Sequence, residues 1–493
     1  MTNQWRLAAL LSIVLAASAS AHAQGAKADV NAPDALGTPA LHRAVIHDDL
    51  AQVRALLSAG ADAKLANRYG VTPLTLAVSH GNVEIIRLLL DAGADANAVD
   101  PAAETMLMIA SRVGSLEAVH VLLDRGAVVD ARDKTYQQTA LMVAVRENHP
   151  AVVQLLIERG ADVNARTRTG NTPQWVLPNS VPGFGHGIGI VRGGLPPRGS
   201  RQPISGSLSP LLYAARDGRL EAAKLLLAAK ANINQTDANA ITPLIMAIVN
   251  NRVDVARFLI EQGADIQAAD WYGRTPLWAA VETRNMDVDN ATFANSVDRA
   301  PLLDIIRTLL ERGARVNVRM KEVPPIRRAF LRVTGSLSWV DFTGQTPFLT
   351  AALAADVDAM RLLLKHGADP HISTFAGTTP LMAAAGLNWV DISSLGSEDE
   401  SIEVITTLLE RGADINAVNE LGETAAHGAA QRGADKIMRF LAEKGARLDV
   451  RDKQGRTPMD EAIGQADMSA EDNVRRPERK STQALLRELL AAR

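Results

Sequence analysis

Thr72-Pro73-Leu74-Thr75-Leu76-Ala77-Val78-Ser79-His80-Gly81-Asn82-Val83-Glu84-Ile85-Ile86-Arg87-Leu88-Leu89-Leu90-Asp91-Ala92-Gly93-Ala94-Asp95 is the stretch that decides the fold. Thr72 is placed as a helix N-cap, its hydroxyl able to accept an orphan N–H of the first turn. Pro73 follows at the first helical position, where a missing N–H costs nothing. Leu74, Ala77 and Val78 recur at helical spacing. Gly81 supplies a left-handed stop, and Asn148 and Asn251 hold the same place in later copies. A second helix is expected over 83–92, burying Val83, Ile86, Leu89 and Leu90, with Gly93 ending it. Asp95 and Asn97 then open a turn leading to the next cap.

The stretch repeats. Thr-Pro-Leu returns at Thr242, Thr275 and Thr379, with looser copies at Thr105, Thr139, Ser209, Thr346, Thr424 and Thr457. The steps Thr72 to Thr105, Ser209 to Thr242, Thr242 to Thr275, Thr346 to Thr379 and Thr424 to Thr457 are each 33 residues. A fixed period of this size means stacked supersecondary units that bury their apolar faces only against one another.

Thr-Pro-Leu-x-x-Ala, the inter-helix Gly, Leu-Leu and the copies of Gly-Ala-Asp at Gly60, Gly93, Gly160, Gly263, Gly367 and Gly412 resemble the ankyrin repeat. The resemblance runs over nearly all of Leu36 to Arg493 and implies an all-α solenoid of about ten repeats plus terminal caps, with short finger loops. Pro39-Ala40 and Lys230-Ala231-Asn232 depart from the pattern, which marks looser repeats. Asp34 to Leu57 is expected to cap one end. At the other, Ser481 would cap a helix carrying Leu485, Leu486, Leu489 and Leu490.

The N-terminus reads as an export signal. Arg6 precedes an apolar run of 13 residues, Leu7 to Ala19, interrupted only by Ser12 and Ser18. Ala21-His22-Ala23 is a small-x-small cleavage site, placing the mature start at Gln24. The run is too short for a membrane span, which needs ~20 residues. With no cysteine in the chain, thiolate and disulfide chemistry are excluded, as is a lipid anchor on Cys. A net charge of -3 gives no electrostatic case for nucleic acid or an anionic membrane.

The domain reading follows: signal peptide 1–23, flexible leader 24–36, N-terminal repeats 37–172, a Gly/Pro-rich insertion 173–208, central repeats 209–319, a long finger 320–345, C-terminal repeats 346–463 and a capping segment 464–493. The first insertion carries Phe184, Arg192, Arg198 and Arg201 and has no Asp or Glu between Asn171 and Leu208. The long finger holds Arg327, Arg328, Arg332 and Trp339. The repeat from Thr275 to Gly313 is lengthened within its helix-turn-helix, and a further insertion of 12 residues lies in the repeat from Thr379 to Gly412, with the acidic Glu398, Asp399 and Glu400, a charge run that reads as a solvated face. Insertions in repeat arrays map to loops, often on the binding face. The segments Ser338 to Phe348 and Thr374 to Met382, with this order of insertions, resemble a group of exported bacterial ankyrin-repeat proteins. That likeness implies a shared architecture and carries no assigned activity.

Catalytic chemistry finds no footing. Gly183-x-Gly185-x-Gly187-x-Gly189 lacks the strand before and helix after that a phosphate loop needs. No Gly-x-Ser-x-Gly elbow is present. His366 and His371 lack the helical spacing of a metal pair. His42 and His427 stand where the ankyrin family uses His structurally. No cofactor, metal or catalytic residue is expected.

One constellation remains. Tyr69, Tyr136 and Tyr272 all stand three residues before a cap, with Trp271 beside the last. The ankyrin resemblance places this position at a finger tip on the concave, partner-binding side, and Tyr and Trp are enriched in binding hot spots. The chain therefore reads as a monomeric, exported scaffold, periplasmic or secreted, that binds a protein through its fingers and inner helices with the basic insertions adding contacts. A secreted effector or toxin-associated module is the alternative.

Overall fold

The computed structural model describes residues 29–171, 204–285, 299–322, 343–387, 396–464 and 478–492. Among them are 22 α-helices in consecutive antiparallel pairs. Two compact units divide at Asp95 and Ala96. The first holds the pairs Ala40–Ile46 with Leu50–Ser58, and Pro73–His80 with Val83–Asp91. The second begins with Met106–Val113 and Leu116–Asp124 and ends with Pro458–Ile463 and Lys480–Ala491. Within each unit first helices pack on first helices, and second on second.

Local chemistry explains each pair. Thr72 Oγ1 accepts the Thr75 N–H at 3.2 Å, and Thr105, Thr139, Ser209, Thr242, Thr275, Thr346, Thr379 and Thr457 repeat the bond. Such a cap stabilises a short helix by about 1 kcal/mol. First helices are apolar on nearly every side: Ala140 to Val145 are all buried. In the second helix of the deciding stretch Ile85, Ile86, Leu89 and Leu90 are buried, whereas Val83 is only half-buried. Asn148 and Asn251 are left-handed, with φ of 65° and 54°.

A second bonding pattern ties repeats together. In the second unit Asn97 donates to the Gly126 carbonyl at 2.9 Å and accepts the Val128 N–H at 2.8 Å. Asn317 does the same with Gly367 and Asp369, and Asn416 with Gly445 and Arg447. One amide side chain thus satisfies backbone groups of the following repeat at both of its ends.

The structure amends several sequence expectations. The sequence reads as a flexible leader over 24–36, yet residues 29–38 form a finger-like turn: Asp34 Oδ1 accepts the N–H groups of Leu36 and Thr38, and Asn31 Oδ1 accepts that of Asp62. The last helix starts at Lys480 with Arg479 as its cap, so Ser481 lies inside it. Thr482 instead fixes its start by donating to Asp435 at 2.6 Å. Leu485 and Leu486 are buried there, while Leu490 faces solvent. The acidic Glu398-Asp399-Glu400 is the first turn of helix Glu398–Glu410. Ser397 and Glu400 exchange bonds as a capping box, and Glu398 accepts the N–H groups of Lys436 and Ile437. These carboxylates serve helix N-termini, where negative charge is favoured.

Lys230 holds the left-handed site used elsewhere by Gly60, Gly126, Gly160 and Gly263, with φ of 65°. A Cβ at those glycines meets nothing within 4 Å, so space is not the constraint and backbone conformation is. Lys230→Gly should raise the stability of that repeat by roughly 0.5–1 kcal/mol, relief of left-handed strain outweighing the added chain entropy. A lower denaturant midpoint than wild type would refute this.

Candidate protein-binding face

Fingers are turns closed at the base by an Asx side chain, a place that Thr374 takes in the Phe375 finger by accepting the Thr378 N–H at 3.0 Å. Asp133 accepts the N–H groups of Thr135, Tyr136 and Gln138, and Asp270 those of Tyr272 and Arg274. Adjacent fingers of the second unit are stitched by backbone bonds. Trp271 N–H donates to Asn239 O at 2.9 Å, Phe375 N–H to Thr343 O at 3.1 Å, Glu420 N–H to Ala376 O at 2.9 Å and Lys453 N–H to Leu421 O at 2.8 Å. The tips are therefore held on a backbone ladder and not on free loops.

Among the described residues the exposed aromatic side chains are Tyr69 at 59%, Tyr136 at 64%, Trp271 at 44% and Phe375 at 46%, and all four stand at finger tips. Arg68 stacks on Tyr69 in the first unit, 4.7 Å from the ring centre, and donates to its hydroxyl. Arg319 stacks on Phe375 at 4.3 Å while bonding to the Gly344 and Ser373 carbonyls. That clamp pre-orients the ring. In the second unit Tyr136, Trp271 and Phe375 are spread over several fingers.

Tyr272 departs from the expected exposed row. It is 3% exposed and packs with Trp278 and Met320. The cause is the lengthened following finger: Lys321 and Glu322 donate their N–H groups to Tyr272 O, which brings Met320 over the ring. Burial raises the Tyr272 hydroxyl above its ordinary pKa. Its register therefore serves the fold here. Phe375 was missed from sequence, although it shares with Trp271 the place four residues before a cap. Phe184, Arg192, Arg198, Arg201, Trp339, Ala23 and Gln24 lie outside the described residues.

The bases of two interruptions are well defined. Gly170–Asn171 pairs antiparallel with Ile204–Ser205, a two-residue stem below the Gly/Pro-rich insertion. Gly206 must be glycine there, since a Cβ would stand 1.9 Å from Arg168 O. At the lengthened repeat, Arg284 and Asn285 on one side and Arg299 on the other converge on the buried Asp356.

The two structural histidines meet neighbouring repeats. His42 Nε2 donates to Val71 O at 2.9 Å, and His427 Nε2 to Arg456 O at 3.2 Å. His427 Nδ1 accepts the Thr424 N–H, so the network assigns the neutral Nε2–H tautomer. Burial depresses both imidazole pKa values, opposed by those carbonyl bonds. A depressed histidine favours the folded state fully above the unfolded pKa of about 6.5 and loses that contribution as pH falls toward the folded value. Between about pH 7.5 and 5.5 wild type should lose more melting temperature than His42→Gln/His427→Gln. Parallel melting curves for the two proteins would contradict the buried-neutral assignment.

Family models agree with the repeat chemistry. The model for ankyrin repeats in three copies matches residues 13–100, 93–167, 211–320 and 393–471, and that for a single ankyrin repeat matches 343–372. The chain belongs to the ankyrin-repeat family. Human Ankyrin repeat and SOCS box protein 16 is 35% identical over 125 residues, 25% of each chain. Human Ankyrin repeat and KH domain-containing protein 1 is 31% identical over 121 residues, 24% of this chain and 4% of that one. The Neurogenic locus Notch protein of Drosophila melanogaster is 39% identical over 93 residues, 18% of this chain and 3% of that one. This chain thus spans a quarter or less of these curated relatives. The ankyrin repeat domain of Bcl-3 is similar at 27% identity and a TM-score of 0.40, covering 55% of this chain and 99% of that one. Ankyrin repeats are in general protein–protein interaction scaffolds. Among the described residues no helix is long and apolar enough to cross a membrane.

Proposed function

We propose that this ankyrin-repeat protein is an exported scaffold that captures a protein partner on its finger tips. One observation carries the reading: all four exposed aromatic side chains among the described residues, Tyr69, Tyr136, Trp271 and Phe375, are finger-tip residues. Stiff aromatic rings on a pre-formed ladder offer contact area with little entropy left to lose. The n-region, h-region and Ala21-His22-Ala23 support export to the periplasm or beyond.

Two measurements test it. Protein from the exported fraction should have an intact mass beginning at Gln24, and a full-length cytoplasmic product would remove the export claim. The mature chain should retain a defined protein from its own envelope extract, and a variant with all four tip aromatics changed to Ala should lose it. Equal capture by both would refute the finger-tip reading. Capture only from a foreign host extract would favour the effector alternative.

A further inference from the structure

Around Tyr136 the finger tips carry a concentration of cations. Arg132, Lys134, Arg166 and Arg168 are all exposed. Backbone and side-chain bonds hold them together: Arg168 N–H donates to Tyr136 O at 2.7 Å, and Arg132 Nη1 to Arg166 O at 2.6 Å. Arg166 Nη1 reaches the Ser207 hydroxyl at 3.1 Å. None of the four forms a salt bridge among the described residues, whereas Arg112, Arg146 and Arg216 on the first helices each face a carboxylate. Asp133 within the cluster is buried and already accepts three backbone N–H groups. The neighbouring sequence from Asn171 to Leu208 brings no Asp or Glu. Four exposed cations without a salt bridge among the described residues thus share two adjacent fingers with the exposed Tyr136, in a chain of net charge -3.

We propose that this face docks an acidic protein segment, its carboxylates on Arg132, Lys134, Arg166 and Arg168 and an apolar side chain on Tyr136. The inference rests on the finger tips being the binding face and names the chemistry of the partner. Guanidinium forks match carboxylates, and Tyr supplies the apolar platform beside them. A nucleic-acid strand fits less well. It would extend past this short cluster onto a chain whose remaining charge is negative and would repel it.

The test uses the full mature chain and a fluorescein-labelled peptide repeating Asp-Glu-Phe. The controls are the same peptide with Asn and Gln for the acids, and a single-stranded DNA of equal charge. The acidic peptide should bind, the neutral one should not, and affinity should fall as NaCl rises from about 50 to 300 mM. Lys134→Glu/Arg168→Glu should weaken the acidic peptide by at least roughly 10-fold with melting unchanged, and Tyr136→Ala should weaken it too. Absence of acidic-peptide binding, equal binding of the neutral peptide, tighter binding of the DNA or full affinity in the charge-reversed variant would each overturn the proposal. The parent reading fails separately: if the envelope partner is lost with the tip aromatics but kept by the charge-reversed variant, the scaffold stands and the acidic segment falls.

Discussion

Asp356→Ala should destabilise the second unit by about 3–5 kcal/mol, the usual loss when one member of a buried ion pair is removed. Asp356 is 3% exposed. Arg284 grips it with two bonds, Nε to Oδ2 at 2.8 Å and Nη2 to Oδ1 at 3.2 Å. Asn285 donates to it at 3.0 Å, and Arg299 lies 3.4 Å away. Its Oδ1 also caps helix Val357–Lys365 through the Ala359 N–H. Alanine would leave the buried Arg284 guanidinium with only the exposed Asp358 carboxylate, 3.8 Å away, and that helix without its cap. The diagnostic is the double change. Arg284→Met/Asp356→Leu removes both charges and should cost clearly less than Asp356→Ala alone, because no uncompensated charge stays buried. In a repeat array the damage spreads to neighbours sharing an interface, so hydrogen exchange should quicken first between 276 and 365. A loss under about 0.5 kcal/mol for Asp356→Ala would show that water reaches the cluster.

What the sequence made legible was whatever depends on near neighbours along the chain. Thr72, Pro73 and Gly81 announce a cap, a first turn and a left-handed stop because each acts within a turn of itself, and the structure places all three accordingly. The Ser397-x-x-Glu400 box was readable in the same way, yet the acidic run looked like a solvated face because its partners, the N–H groups of Lys436 and Ile437, belong to the next repeat. The fate of Tyr272 was not readable. Its burial depends on Met320 in an elongated finger, and no local pattern reports that neighbour. The Asp356 cluster was hidden for the same reason, since Arg284 and Asp356 are joined only by the fold. The candidate face was legible as a register. Which members of the register face solvent was decided by the insertions.

Trp271 and Tyr272 turn that distinction into an expected result, since adjacent residues on one finger should fail in opposite ways. Trp271 is 44% exposed and Tyr272 3%. Trp271→Ala removes surface area at a tip and should change stability by no more than about 0.5 kcal/mol. Affinity for the captured partner should fall by about 2 kcal/mol or more, roughly 30-fold, if the ring is a hot spot. Phe375→Ala should behave alike, because the Arg319 clamp keeps its ring in the binding orientation before the partner arrives. Tyr272→Ala should instead open a cavity beside Trp278 and Met320 and cost roughly 3 kcal/mol or more in stability. Any loss of affinity there would follow loss of the folded finger. Tyr272→Phe keeps the ring in place and should therefore restore both stability and capture. Binding isotherms and denaturant midpoints for the four variants separate the cases. If Trp271→Ala binds like wild type while Phe375→Ala does not, recognition centres on the fingers after the long insertion. If neither matters and only Tyr272→Ala does, exposure on the finger tips has been mistaken for function.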